Sequence, residues 1–144
     1  MKTFAEHYIT AGYTWAFGAN GPQQFDCWHF VRMVQHEQFG RDLPSVSVAP
    51  GVGQQLLSSK QSSAWRLRKA NEAPREGDIV EAHRPDDLHV GLWSEEEGGG
   101  MLHCNSSSGG PAWTAAVDLP DLFPRIRLWA YASEKVAEEV AHES

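Results

Sequence analysis

Cys27 is the residue of this sequence whose type and position are best suited to covalent chemistry. It directly follows Asp26, and apolar residues occur three, four and seven positions after it. This is the spacing of one apolar helix face. Asp26 and Gly40 are residue types suited to the N-cap and to the position just after a helix. The sequence therefore predicts a helix that starts at Cys27 and is buried along one side.

A thiol in the first turn of a helix lies in the positive field of the helix dipole, which favours the thiolate over the thiol. Cys27 is therefore a candidate nucleophile. The alternative is that Cys27 is one more buried apolar residue, because most free cysteines are. This stretch alone leaves both interpretations open.

Two histidines lie on a predicted β-hairpin. Residues 88–93, LHVGLW, alternate between two faces, as do residues 101–105, MLHCN, and a polar, glycine-rich turn separates them. If the turn is centred on Glu96, His89 and His103 are directly opposed, with Cβ atoms about 4.5–5.5 Å apart. A shift of two residues would make the pair diagonal, and a shift of one would put the rings on opposite faces.

Cys27, His89 and His103 could together form a catalytic unit. One imidazole would take the proton of the thiol, and the other would orient that ring. Either histidine alone could equally be a partly buried residue bonded to the backbone. A zinc site on the same three residues is a further alternative, which we rate lower because a structural site needs a fourth ligand. Asp86 and Asp87 are weak candidates for that ligand, so we expect no metal.

Cys104 is the neighbour of His103, so on a strand it should point the opposite way, into the core with Leu102. We therefore predict a buried, inert thiol at this position. Two cysteines are too few for a disulfide framework, and their spacing is not that of a zinc-binding motif.

The remaining patterns predict the elements that would position these residues. Short helices are expected within residues 1–12 and 54–63. Further strands are expected at Trp65–Lys69, Asp78–Ala82 and Arg125–Tyr131, and a loop at Tyr13–Pro22. The order predicts a single α+β domain over residues 1–144, with N-terminal helices packed on a small antiparallel sheet and a helical tail at 133–144.

The bulk properties exclude several classes of protein. A chain of 144 residues with 41% hydrophobic residues and a formal charge of −7 indicates a folded domain and argues against a nucleic-acid binder. No apolar run is long enough to span a bilayer, so no membrane insertion is expected. The first residues lack the apolar region of a signal peptide, so we expect a chain made in the cytoplasm. Export by a route without a cleaved signal stays open.

Several motifs together resemble those of the NlpC/P60 peptidases. The cysteine motif is similar at residues 13–15, YTW, and at residues 25–28, FDCW. A second similar stretch is residues 77–80, GDIV, which leads to residues 89–93, HVGLW. The step at residues 102–103, LH, after a glycine-rich turn resembles the third catalytic position of that family. The order Cys, His, His is the order in the family as well.

The resemblance implies a papain-like fold. It also implies hydrolysis of amide bonds in the stem peptides of bacterial peptidoglycan, usually between D-glutamate and the diamino acid. By position, Cys27 corresponds to the nucleophile, His89 to the base and His103 to the residue that orients the base. The stem peptide would be the partner, and no cofactor is implied.

The same resemblance assigns Tyr13, Trp15, Asp26 and Trp28 to substrate binding. Tyr13 matches a family tyrosine that lies near the substrate. The family usually has a small residue where this chain has Trp28, and paired glycines where it has Ala16-Phe17-Gly18. Both departures concern the walls of the substrate cleft, so they affect specificity more than mechanism.

The Asp-Cys-Trp sequence and the late strand at residues 124–128 resemble the small NlpC/P60 proteins of phage tail modules and gene transfer agents. This subgroup implies phage tail proteins as partners and delivery to the cell wall with the particle. Two rival functions stay open. One is an amidase or acyltransferase toxin that acts on another substrate, and the other is a tail assembly component without activity.

Overall fold

The computed structural model describes residues 3–45, 65–85 and 87–131. Its helices are α1 (Phe4–Ile9), α2 (Cys27–Phe39) and α3 (Leu119–Leu122). Its strands are β1 (Thr14–Trp15), β2 (Gln24–Phe25), β3 (Trp65–Leu67), β4 (Ile79–Arg84), β5 (Asp87–Ser94), β6 (Gly100–Asn105), β7 (Gly110–Ala115) and β8 (Arg125–Tyr131). Short 3-10 turns occupy Glu96–Gly98 and Ala116–Asp118.

Strands β3 to β8 form one six-stranded antiparallel sheet in the order β3-β8-β4-β5-β6-β7. Helix α2 packs against β5 and β6, and α1 packs against β7. Strands β1 and β2 form a separate parallel pair that lies between the two helices in the sequence. The predicted α+β class, with N-terminal helices packed on a small antiparallel sheet, is confirmed.

Helix α2 begins and ends where the residue types predict. Oδ1 of Asp26 accepts a hydrogen bond from the backbone N–H of His29 at 2.8 Å, which caps the first turn. Gly40 ends the helix in the left-handed conformation, with a φ of 64°. The cap holds the first turn in place, and with it the position of Cys27 relative to the sheet.

The two faces of the sheet pack against different elements. The face toward α2 carries buried side chains from β5 and β6, namely Val90, Leu92, Leu102 and Cys104. The opposite face packs with residues that follow β7, and this second cluster consists of Val80, Ala82, Met101, Leu119 and Phe123. The predicted alternation is therefore confirmed, and so is the buried position of Cys104, which is 0% exposed.

The register between β5 and β6 differs from the predicted one. Leu92 pairs with Leu102. One residue back along β5 and one residue forward along β6, the same register puts Gly91 opposite His103. His89 is therefore diagonal to His103. The predicted direct opposition of the histidines is therefore wrong by two residues. Because the difference is an even number, both rings stay on the same face of the sheet.

The turn between the two strands explains the shift. In the 3-10 turn Glu96–Gly98, Glu97 has a φ of 49° and Gly98 a φ of 86°. These conformations centre the hairpin on residue 97 instead of residue 96. Residue types do not distinguish the two centres, because the run of glycines at 98–100 tolerates either turn.

Gly91 is required where β5 approaches the strand that carries His103. A Cβ atom at Gly91 would lie 2.7 Å from the carbonyl oxygen of Leu102 and 2.9 Å from Cβ of His103. No side chain fits at those separations, so a strand glycine at this position marks a close approach of two backbones. The space left by Gly91 allows His89 and His103 to meet diagonally.

Three features of the structure are not predicted from the sequence. These are strand β7, helix α3 and the parallel pairing of β1 with β2. The helices predicted at 54–63 and 133–144 fall outside the described residues. None of the helices in the described part of the chain is long and apolar enough to cross a membrane.

Replacing Asp26 by Ala should lower the free energy of unfolding by about 0.5–2 kcal/mol, because that is the usual cost of losing an N-cap acceptor. Urea unfolding followed by circular dichroism measures the change. Asp26→Ser is the matched control, since its hydroxyl still accepts from the N–H of His29, and it should recover most of the stability. Equal stability of Asp26→Ala and the unchanged protein would show that the cap does not hold the helix.

Candidate active site

Cys27 lies half-buried at the start of α2, the helix that packs against β5. Burial raises the pKa of its thiol to about 11. Hydrogen bonds from the backbone N–H groups of Val90 and Trp28 lower that pKa, and the carboxylates of Asp26 and Asp87 raise it, but both effects are smaller than that of burial. The thiolate expected from the helix dipole is therefore not the resting form, and Cys27 keeps its proton at neutral pH.

The imidazoles of His89 and His103 contact each other between β5 and β6. Nε2 of His89 is 2.8 Å from Nδ1 of His103, and the ring planes meet at 76° with their centres 4.9 Å apart. Phe123 covers the pair, and its ring stacks on His89 at 5.7 Å with 10° between the planes. The diagonal arrangement therefore still gives the ring contact that a catalytic pair needs.

Burial keeps both imidazoles neutral. It lowers the pKa of His89 to about 4 and the pKa of His103 to about 3. The positive charge of Arg84 lowers both pKa values further, and a charge on His89 would lower that of His103. At neutral pH each ring therefore carries one N–H group and one lone pair.

Two more residues contact His103, and neither is predicted from the sequence. Nε2 of His103 is 2.9 Å from Oγ1 of Thr114 on β7. Nδ1 of His103 is 3.0 Å from the amide nitrogen of Asn105 at the end of β6. Strand alternation could have identified Asn105, because it stands two positions after His103 and so shares its face. Nothing in the sequence points to Thr114, because β7 has no clear strand pattern.

Trp28 and Asp26, two of the four residues expected to bind substrate, use their side chains to hold the fold around α2. Trp28 is 2% exposed, and its Nε1 donates to the carbonyl of Pro44 at 2.8 Å. It belongs to the core and has almost no surface to offer a ligand. Asp26 is the N-cap of α2, and its carboxylate also lies 2.9 Å from Nδ1 of His29.

Tyr13 and Trp15, the other two, are half-buried beside the loop that follows β6. The N–H of Trp15 donates to the carbonyl of Gly109 at 2.9 Å. The ring of Tyr13 meets that of Phe25 edge to face, with the centres 5.3 Å apart. Tyr13 and Phe25 also line a cleft of about 480 Å³ with residues of α2. Cys27 is not among the described residues that line this cleft.

Residues 3–45, 65–85 and 87–131 contain no ligand set for the zinc site considered as an alternative. Within these ranges, no group of three or more His, Cys, Asp or Glu side chains is arranged to hold a metal ion. Of the two aspartates considered as extra ligands, Asp86 lies outside the described residues and Asp87 is exposed at the start of β5.

Residues 12–112, more than half of the sequence, match the model of the NlpC/P60 family. The chain belongs to the NlpC/P60 family. The matched range includes Cys27, His89 and His103, and it also includes Asn105. No curated protein sequence matches the chain.

The NlpC/P60 assignment agrees with the fold. The crystal structure of the NlpC/p60 domain of the peptidoglycan hydrolase SagA is similar, with a TM-score of 0.53 and 22% sequence identity. The similarity covers 81% of this chain and 86% of that domain. The predicted papain-like NlpC/P60 fold is therefore confirmed. Thr114 and Phe123, which contact the histidine pair, lie beyond the residues that match the family model.

Iodoacetamide should label Cys27 faster than Cys104 in the folded protein, because Cys104 is 0% exposed and burial raises its pKa to about 12. At neutral pH Cys27 should still react more slowly than a free cysteine, whose pKa is about 8.5. Its rate should rise with pH toward about 11. Mass spectrometry of tryptic peptides measures both sites. Equal labelling of the two thiols, or a Cys27 rate that levels off below pH 8, would contradict the assignment.

NMR of the imidazole ring protons should show two of the seven histidines titrating near pH 4 and pH 3. In urea these signals should return to about 6.5. The unfolded chain then binds protons at a higher pH than the folded chain, so the free energy of unfolding should fall as the pH drops from about 6.5 toward 4. His89→Gln and His103→Gln assign the two signals. Midpoints near 6.5 in the folded protein would show that the rings are not buried.

Proposed function

We propose that the chain is a cysteine peptidase that hydrolyses amide bonds in the stem peptides of bacterial peptidoglycan. The observation that carries the proposal is the bonded His89–His103 pair on β5 and β6, whose first member precedes the residue that bonds to the thiol of Cys27. The N–H of Val90 bonds to the thiol, and His89 is the residue before Val90. Membership of the NlpC/P60 family supports the same three residues in this order.

The first step in this proposal is attack by a thiol that still holds its proton. Because burial raises the pKa of Cys27 to about 11, the thiol needs a base. His89 is neutral, and its Nδ1 makes no hydrogen bond within the described part of the chain. Nδ1 would take the thiol proton as sulfur forms its bond to the scissile carbonyl carbon.

In the later steps, His89 would give up the proton that it took from the thiol of Cys27, and it would then act as a base again. The backbone N–H of Cys27, the first of α2, would stabilise the negative oxygen of the tetrahedral intermediate, because the first N–H groups of a helix have no acceptor within the helix. Nδ1–H of His89 would then donate its proton to the leaving amine. Water, deprotonated by the same nitrogen, would release the peptide acid from sulfur. Throughout, His103 would hold His89 through Nε2.

The finer parts of the proposal concern the substrate and its setting. SagA, whose NlpC/p60 domain has a similar fold, is a peptidoglycan hydrolase, which favours a wall peptide as the substrate. We propose the bond between D-glutamate and the diamino acid, and a role for the protein in a phage tail or a related particle. The resemblance of the Asp-Cys-Trp motif and the late strand to tail-encoded members of the family supports this setting.

Mass spectrometry of muropeptides after incubation with the protein tests the proposal. A D-glutamyl–diamino acid peptidase should produce fragments with a new amino terminus on the diamino acid. Cleavage should persist in EDTA, because no step uses a metal. Complete absence of cleavage would favour the inactive tail component, and modification without cleavage would favour the acyltransferase.

Variants of the three residues test the division of roles. Cys27→Ala should abolish cleavage, and His89→Ala should lower turnover about 10³-fold or more, as in other enzymes whose nucleophile–base unit is broken. His103→Asn should retain more activity than His103→Ala, because asparagine still offers an acceptor to Nε2 of His89. Steady-state rates on purified muropeptides measure these effects, and circular dichroism confirms folding. Higher activity in His89→Ala than in His103→Asn would reverse the roles given to the two strands.

A further inference from the structure

The amide of Asn105 has a defined orientation in this structure. Its Oδ1 lies 2.8 Å from the backbone nitrogen of Ser108. A backbone N–H can only donate, so the atom facing it must be the amide oxygen. The hydroxyls of Ser107 and Ser108 contact the same oxygen at 3.0 Å and 2.6 Å. The other end of the amide, which faces His103, is therefore the NH₂ group.

The orientation of Asn105 determines which nitrogen of His103 carries the proton. The amide nitrogen of Asn105 is 3.0 Å from Nδ1 of His103. Because an amide NH₂ has no lone pair to offer, Nδ1 of His103 must be the acceptor and cannot carry hydrogen. The neutral ring then has its proton on Nε2. Oγ1 of Thr114, 2.9 Å from Nε2, accepts it.

The same logic extends from His103 to His89. Nδ1 of His103 also lies 2.8 Å from Nε2 of His89. Since Nδ1 of His103 is an acceptor, Nε2 of His89 must carry the proton and donate it, and the single lone pair of Nδ1 is shared with the Asn105 N–H in a three-centre hydrogen bond. The lone pair of neutral His89 is then on Nδ1. In the opposite tautomer, a proton on Nδ1 of His103 would point at Nε2 of His89, and Nδ1 of His89 would hold a hydrogen and could not act as a base.

We propose that Asn105 is a positioning residue that sets the tautomers of the His89–His103 pair, anchored by the N–H of Ser108 and completed by Thr114. Asn105 lies on the strand that carries His103 and makes its own contact with that ring, not with His89. Its consequence for turnover rests on the proposed function, because only a base needs the lone pair of His89 on Nδ1. The tautomers themselves do not depend on any activity.

Two-bond ¹⁵N–¹H correlation spectra of the imidazoles at neutral pH read the tautomers directly. In the unchanged protein, both His89 and His103 should carry hydrogen on Nε2. Asn105→Asp replaces the donor by an acceptor of nearly the same shape, so Nδ1 of His103 should gain a proton. Ser107→Ala is the matched control, because it removes one contact to Oδ1 and keeps the N–H of Ser108, and its spectrum should not change.

The proposal is overturned if Nδ1 of either ring carries hydrogen in the unchanged protein, or if Asn105→Asp leaves both rings unaltered. Thr114→Val gives a second test, should Asn105→Asp not fold. It removes the acceptor for Nε2–H of His103 but leaves the NH₂ group of Asn105 at Nδ1, so His103 should keep its proton on Nε2. Hydrogen on Nδ1 of His103 in that variant would show that Thr114, and not Asn105, sets the tautomer, and would overturn the proposal.

Kinetics on muropeptides then separate this inference from the proposed function. In Asn105→Asp, kcat should fall about 10- to 100-fold with KM nearly unchanged, because a smaller fraction of molecules holds a usable base. Ser107→Ala should keep the original kcat. A changed tautomer with an unchanged kcat would overturn the positioning role. If the unchanged protein cleaves no muropeptide, the proposed function fails, while the spectra still decide whether Asn105 sets the tautomers.

Discussion

The hydrogen bond between His89 and His103 is the contact on which the site depends. It requires β5 and β6 to approach closely, and Gly91 meets that requirement because any side chain there would collide with β6. It also requires that at least one ring be neutral, since two imidazolium ions 2.8 Å apart would repel each other and would leave no acceptor between them. Burial beneath Phe123 disfavours the charged form of each ring. The sheet register, the glycine and the aromatic cover therefore all contribute to one contact.

Burial moves the pKa values of thiol and imidazole in opposite directions, yet its effect on charge is the same. It raises the pKa of Cys27 and lowers those of the two histidines, so every group is neutral over a wide range around pH 7. In the proposed mechanism, no thiolate–imidazolium pair forms before the substrate binds. The thiol proton would move only when a substrate carbonyl is in place, and the tautomer of His89 would then matter more than its charge.

Much of the fold follows from local sequence. The cap at Asp26, the apolar stripe of α2 and the strand alternation around His89 and His103 are each encoded within a few residues. The hairpin register is not, because a run of glycines tolerates two turn centres that join the same two strands in registers two residues apart. Strand β7, GPAWTA, carries too few strand-forming residues to be recognised. Thr114 reaches His103 only because β7 pairs with β6. The contact therefore could not be predicted without the order of the strands in the sheet.

Phe123 also bears on where this domain ends. The family match stops at residue 112, but Phe123 covers the histidine pair from the segment between α3 and β8. β8 itself lies between β3 and β4 in the sheet. A chain cut at the family boundary would retain all three catalytic candidates and lose the wall that keeps water from two of them. The sequence similarity to the family thus ends before the last residue that shields the histidine pair.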